Sequence, residues 1–370
     1  MCFQIFLEIM RKIFIVILIF ILAPSIAYEQ NKIAVIGYYA GSNAADLDSF
    51  SIEKLTHIIF SFCHLKGNRL NVDRAIDSLT IQKMVSLKKR NPDLKVILSL
   101  GGWGGCAGCS DAFSTKEGRH EFAQSVKELC QYFGTDGIDL DWEYPAISGY
   151  PGHKYQAADK ENFTALVSQL RKTLGKKHEV SFAAGGFGHY IDQAVEWKKV
   201  MKKVNYVNVM TYDLVSGFSK VTGHHTALYS TDQQVESTDN AIQKLLQIKV
   251  PRSKIVIGAA FYGRMWEAVP DTNYGLHQPG NFIKYLPYKN ILSQASVDSG
   301  FTSYWDDGAK APYLFNASQH LFVTYEDKRS IQLKTKYAIE KKLGGIMFWQ
   351  LREDISTGGL LDAIDEAKHQ

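Results

Sequence analysis

The sequence predicts an α/β chain closed into a (β/α)8 barrel with a small α+β insertion between its seventh and eighth strands. Short apolar, β-branched runs recur at 34–39, 56–62, 95–100, 137–142, 180–184, 206–211, 254–260 and 345–350. Amphipathic stretches such as 81–89, 119–132, 160–174 and 239–247 lie between them. About eight strand–helix alternations give a parallel sheet with helical crossovers, and about 320 residues suit a closed barrel of eight units. An open doubly wound sheet is the competing architecture. It would more often carry a Gly-rich phosphate loop after its first strand, and Gly37-Tyr38-Tyr39-Ala40-Gly41 is no such loop.

The rhythm breaks once. Residues 266–324 contain Pro270, Pro279, Pro287 and Pro312, few helical patterns, and short β-like runs at 300–305 and 321–325. A structureless loop of that length is foreign to a compact domain. A small α+β subdomain beside the barrel mouth is expected instead, with Trp305 in its own core.

At the N-terminus, Arg11 and Lys12 precede an apolar run from Ile13 to Leu22, followed by Ala23-Pro24-Ser25-Ile26-Ala27. A basic region, a short apolar segment and small residues before a cut describe a secretory signal peptide, with cleavage expected after Ala27. The run is short for a membrane span, which needs roughly 20 residues. Met10 offers a second start. The expected organisation is a signal peptide at 1–27 and a catalytic barrel at 28–370, delivered outside the cell or to the periplasm and free of the membrane after cleavage. The formal net charge of +4 is spread without a basic block, which argues against nucleic acid as a partner.

Of the five cysteines, Cys2 leaves with the signal peptide. Cys63, Cys106, Cys109 and Cys130 remain, and four cysteines allow three pairings. Cys106-Ala107-Gly108-Cys109 has no second CxxC and no His pair at ligand spacing, so a zinc site is not expected. A local structural disulfide is the reading preferred. Asn162-Phe163-Thr164 and Asn316-Ala317-Ser318 are glycosylation sequons if the chain is made in a eukaryote.

The most informative stretch is DGIDLDWEYP, from Asp136 to Pro145. In a strand, alternate residues share a face, so Asp139, Asp141 and Glu143 form one row while Leu140 and Trp142 face the helical layer. Asp136 falls outside that parity and is structural. Three buried acids at this spacing cannot all ionise, so at least one proton is retained along the row, and Glu143 at the open end is best placed to hold it. A carboxylic acid still protonated near neutral pH is what a glycosidic leaving group requires. An exposed strand would not be flanked by Leu140, Trp142 and Pro145, and a metal site would want further ligands nearby in sequence.

This segment resembles the DxxDxDxE signature of glycoside hydrolase family 18, with the WEYP ending of its chitinases. Ser99-Leu100-Gly101-Gly102-Trp103 resembles the strand-three SxGG motif and its Trp. Met210-Thr211-Tyr212-Asp213 is similar to the strand-six MxYD, Tyr262-Gly263-Arg264 to the strand-seven YGR, and Phe348-Trp349 to the strand-eight segment that floors the site. Trp305-Asp306-Asp307 resembles part of the deep-cleft branch's insertion.

The resemblance implies a chitinase that retains anomeric configuration by substrate assistance, an exception among glycosidases. Glu143 would be the acid and Asp141 would hold the acetamido N–H. Asp139 would share a proton with Asp141, and Tyr212 would orient the acetamido oxygen. Trp349 would floor the distorted sugar, Trp103 would stack on its neighbour, and Tyr38 and Phe62 would pack under the acetamido methyl. Gly102, Tyr144, Met210, Asp213, Tyr262 and Arg264 complete the expected substrate-binding set. Chitin or its oligosaccharides would be the partner, with no cofactor or metal, and the chain would act as a monomer. A chitin-binding lectin on the same fold would usually have lost the terminal acid, and an endo-β-N-acetylglucosaminidase would share it. The insertion implies a deep cleft with some exo-like or processive action.

Overall fold

The computed structural model describes residues 33–41 and 43–370. The signal-peptide segment, its cleavage point and the Met10 start lie outside the described residues. A nine-stranded sheet is closed on itself by pairing of its first two strands. Its parallel members are β1 (Ala34–Ala40), β2 (His57–Lys66), β4 (Lys95–Gly101), β5 (Gly137–Asp141), β6 (Glu179–Gly185), β7 (Tyr206–Met210), β8 (Ile255–Ala260) and β14 (Gly345–Trp349). β3 (Arg69–Asn71) is a short antiparallel hairpin arm on β2. The chain is therefore a (β/α)8 barrel.

Sequence explains the helical shell locally. The helix Lys116–Phe133 starts where the Thr115 side chain accepts from the Gly118 N–H, and it stops at Gly134, whose φ of 76° is left-handed. Its buried face of Phe122, Ala123, Val126 and Cys130 packs on the barrel's outer core. Outward-facing Ile138, Leu140 and Trp142 sit in that same core, as strand parity requires. The barrel interior is a separate, smaller cluster that includes Ile36, Tyr38, Ile59, Ile97, Met210, Val256 and Met347.

From Tyr262 to Thr324 the chain builds a five-stranded antiparallel sheet from β9 (Tyr262–Glu267), β10 (Asn281–Pro287), β11 (Thr302–Asp306), β12 (Ala311–Asn316) and β13 (Leu321–Thr324). Trp305 is not in its core. It lies half-buried on the edge strand β11, with the Arg329 guanidinium 3.7 Å from its ring centre, and the core positions go to Trp266, Tyr313, Phe315 and Phe322. Parity explains the swap: on β11 the neighbour Tyr304 is the residue that packs against that core.

Cys106 and Cys109 form a disulfide in the loop after β4, while Cys63 and Cys130 are free and buried. No helix among the described residues is long and apolar enough to cross a membrane. Asn316 is fully buried, its amide donating to the Ser299 carbonyl, so that sequon is closed to a glycan in the folded chain.

Candidate active site

β5 carries the acids inward. Register places Ser99 of β4 and Ser181 of β6 directly beside Asp139. Both hydroxyls donate to it, Ser99 to Oδ2 at 3.0 Å and Ser181 to Oδ1 at 2.6 Å. The Tyr38 hydroxyl donates to Oδ2 at 3.0 Å, and Asn208 Nδ2 donates both to Oδ1 at 3.2 Å and to the Tyr38 oxygen at 3.0 Å. Asp139 is fully buried, and burial raises its pKa against these donors, which favour the carboxylate.

In the free cleft both Asp139 oxygens accept from these four donors, and no hydrogen bond joins Asp139 to Asp141. Asp141 Oδ1 is buried without a hydrogen-bond partner. Burial pushes the Asp141 pKa well above the usual carboxylate range, and the charges of Glu143 and Asp139 push the same way. Glu143 is raised to about 7, by burial first, with the Tyr144 hydroxyl acting downward and the Asp213 charge upward. Burial and mutual repulsion thus act in the same direction on Asp141 and Glu143, and both favour keeping a proton within the pair.

These residues open into one cleft of about 770 Å3 at the C-terminal end of the barrel strands, where barrels of this class hold their chemistry. Tyr38, Phe62, Trp103, Asp141, Glu143, Tyr144, Met210, Tyr212, Asp213, Tyr262, Arg264 and Trp349 all line it. Trp349 and Phe62 stack with ring centres 5.6 Å apart and planes 15° from parallel, and Tyr38 is tilted against Trp349 at 6.0 Å. Trp103 stands half-exposed at the other end, edge-on to Tyr150 at 5.5 Å. The Tyr212 hydroxyl makes only a weak 3.9 Å contact to Met347 Sδ, leaving it open to a stronger acceptor.

Two expectations need correction. Gly102 does not line the cleft: it sits behind Phe62, and a side chain there would collide with that ring. Its φ of +81° also suits glycine. Tyr38 does not only pack; its hydroxyl is one of the donors that hold Asp139.

Asp213, also at positive φ (57°), receives the Tyr262 hydroxyl at 2.8 Å and Arg264 Nε at 2.5 Å, with His225 Nδ1 at 3.7 Å. Burial acts to raise its pKa, but His225 and the Arg264 guanidinium outweigh it and hold the carboxyl well below the usual range. It is an anchored anion, not a proton carrier.

Sequence reasoning missed Ser181, Asn208, Phe187, Phe218, Phe282 and Tyr285. Asn208 and Ser181 were within reach of the alternation rule that found the acids, since Asn208, Met210 and Tyr212 alternate along one face. Phe282 and Tyr285 come from β10 of the insertion, and no local signal tells that they return to the barrel mouth. Among the described residues no group of three or more His, Cys, Asp or Glu side chains is arranged to hold a metal ion.

Adjacent buried carboxylic acids with raised pKa values, beneath an aromatic-walled cleft, are the arrangement of a glycoside hydrolase. The model of Glycosyl hydrolases family 18 matches residues 34–354, and the chain belongs to that family. It is 30% identical to Chitinase A1 of Niallia circulans over 94% of this chain and 62% of that protein, so it spans less than two thirds of that relative. It is 32% identical to Chitotriosidase-1 of Mus musculus, covering 82% of this chain and 68% of that one. A family 18 N-acetylglucosaminidase from Paenibacillus barengoltzii superposes with a TM-score of 0.82 at 36% identity, over 91% of this chain and 100% of that one.

Proposed function

We propose that this chain is a chitinase that hydrolyses β-1,4 bonds between N-acetylglucosamine units with retention, the substrate's own acetamido group acting as nucleophile. The observation that carries this reading is the state of the cleft's acids. Among the described residues, Asp141, Glu143 and Asp213 are the carboxylic acids that line it. Asp213 is tied to Arg264 and Tyr262, and Asp141 is the last residue of β5, only two residues before Glu143 on the same stretch of chain. A retaining enzyme with two opposed carboxylates needs them about 5–5.5 Å apart on either side of the bond. Among the described residues the cleft offers Glu143 no such partner, which supports an internal nucleophile.

Glu143, protonated, gives its proton to the glycosidic oxygen as the C1–O bond breaks. The acetamido carbonyl oxygen bonds to C1 and forms an oxazolinium ion. The unpartnered Asp141 Oδ1 accepts the acetamido N–H and stabilises the positive charge, and the Tyr212 hydroxyl donates to the acetamido oxygen and orients it. Glu143, now ionised, draws a proton from water, whose oxygen attacks C1 and reopens the ring. Asp139 is fixed behind Asp141 by its four donors. Trp349 floors the reacting sugar, and Trp103 stacks on the departing one.

Release of reducing ends from chitin oligosaccharides, with the initial anomer read by NMR, tests the reading. An initial β-anomer is expected. A folded protein that binds chitin oligomers without turnover would show a lectin, and preferential cleavage of a high-mannose glycoprotein would show an endo-β-N-acetylglucosaminidase.

A further inference from the structure

The two ends of the cleft differ in kind. At the Trp103 end the walls are open: Trp103 is 49% and Phe218 70% exposed, their ring centres 6.4 Å apart. Beyond Trp349 the opposite end meets a continuous polar clasp. Arg352 donates through Nε to Asp46 Oδ2 at 3.0 Å, and its Nη2 lies 2.9 Å from the same oxygen. Its Nη1 reaches the Ala40 carbonyl at 3.5 Å, and it packs so closely on Gly41 that a side chain there would collide with it. The Ala40 N–H donates to Gln350 Oε1 at 2.9 Å, Gln350 Nε2 donates to Glu353 Oε1 at 3.1 Å, and the Tyr285 hydroxyl donates to Glu353 Oε2. Lys289 Nζ closes the run on the Arg352 carbonyl at 2.8 Å.

Three separate pieces of chain are joined in this way: the segment after β1, the segment after β14 and the insertion. Among the described residues, Trp349 and Tyr285 line the cleft, but Ala40, Gly41, Asp46, Gln350, Arg352 and Glu353 do not. The clasp thus adjoins the lining residues Trp349 and Tyr285 without itself lining the cleft.

Chemistry fixes which end this is. The sugar under attack has its acetamido group over Asp141 and Tyr212 and its ring over Trp349. Its C1 faces Glu143, so the leaving sugar lies toward Trp103. The O4 of the attacked sugar, where any further non-reducing unit would be attached, therefore points to the clasp.

We propose that the Asp46–Arg352 clasp ends the cleft after a single sugar, so the enzyme removes N-acetylglucosamine one unit at a time from non-reducing ends. The free O4 hydroxyl meets the Gln350–Glu353–Tyr285 edge. Each turnover breaks one C1–O4 bond, water supplying the hydroxyl to C1 and a proton to O4. This deepens the hydrolase reading above and rests on it.

Chitopentaose carrying a fluorophore at its reducing end separates the outcomes. The native enzyme is expected to give free monomer and labelled tetramer first, with monomer exceeding dimer by about tenfold or more among initial products. Arg352→Ser and Asp46→Ala, which open the clasp without touching Glu143, Asp141 or Tyr212, are expected to lower that ratio severalfold while cleavage continues. Unlabelled dimer or trimer as the native enzyme's first product overturns the proposal and leaves the hydrolase reading intact. No cleavage of any oligomer overturns both. Should either variant fail to fold, the native product order still decides.

Discussion

Ser181 donates to Asp139 from the next strand at 2.6 Å, in register with it across the sheet. Ser99 does the same from the other side, so the deepest acid of the row is held by its flanking strands before any substrate arrives. Asp139→Ala would leave Ser99, Ser181 and Tyr38 with buried, unanswered donors and Asn208 with only the Tyr38 oxygen to bond. Each such group costs about 1–3 kcal/mol, so the unfolding free energy should fall by about 3 kcal/mol or more. Urea denaturation measures it, and Asp139→Asn, which keeps an acceptor, should lose less.

Glu143→Gln keeps shape and removes the proton. Turnover of chitin oligomers should fall roughly 10²–10⁴-fold, with affinity for a non-cleaved oligomer nearly unchanged by calorimetry. Loss of binding in step with turnover would mean that Glu143 holds substrate and does not protonate it.

The pH dependence has two faces. Glu143 must be protonated to act, so kcat/KM should decline as pH rises through about 7. For folding, a carboxyl whose pKa moves from 4.5 up to about 7 binds its proton more tightly in the native state. Its contribution to stability is full below about 4.5 and is lost as pH rises toward 7. Glu143→Gln should therefore look increasingly stabilising relative to the native chain between pH 5 and 8, measured as the difference in Tm.

Tyr212→Phe removes one hydroxyl that has no strong partner in the free cleft. Little stability should be lost, while kcat falls by about 10²-fold or more if the hydroxyl orients the acetamido oxygen. Oligomers lacking the acetyl group at the bond to be cut should resist the native enzyme. Equal rates on fully deacetylated and acetylated chains would disprove substrate assistance.

Lys334 and Glu326 form a fully buried ion pair that Thr226 completes. Lys334→Ala strands a buried carboxylate and should destabilise by about 3–5 kcal/mol. Because neither residue lines the cleft, KM should be unchanged wherever the variant remains folded. Lys334→Met with Glu326→Leu should recover much of the loss.

The barrel and its acid row were legible because both rest on local periodicity. Period-two alternation placed Asp139, Asp141 and Glu143 on one face, and the same parity sent Leu140 and Trp142 outward. The motifs at Trp103, Tyr212, Arg264 and Trp349 fell near strand ends, and the cleft gathers all four. What local pattern could not give was partnership across the chain. Nothing near Asp139 in sequence names Tyr38 or Asn208 as its donors, and these arrive through strand register. Trp305 was misplaced because an aromatic in a mixed-face edge strand has two possible sides, and only packing chose.

The sequence by itself determined the alternation of strands and helices and the inward run of acids, because side-chain direction in a strand is set by the backbone. Only the tertiary structure decided how far the acids are buried, how Asp139 is bonded and which segments meet beside Trp349. Those depend on burial and on contacts such as Asp46–Arg352, whose members lie some three hundred residues apart and meet only because the barrel closes.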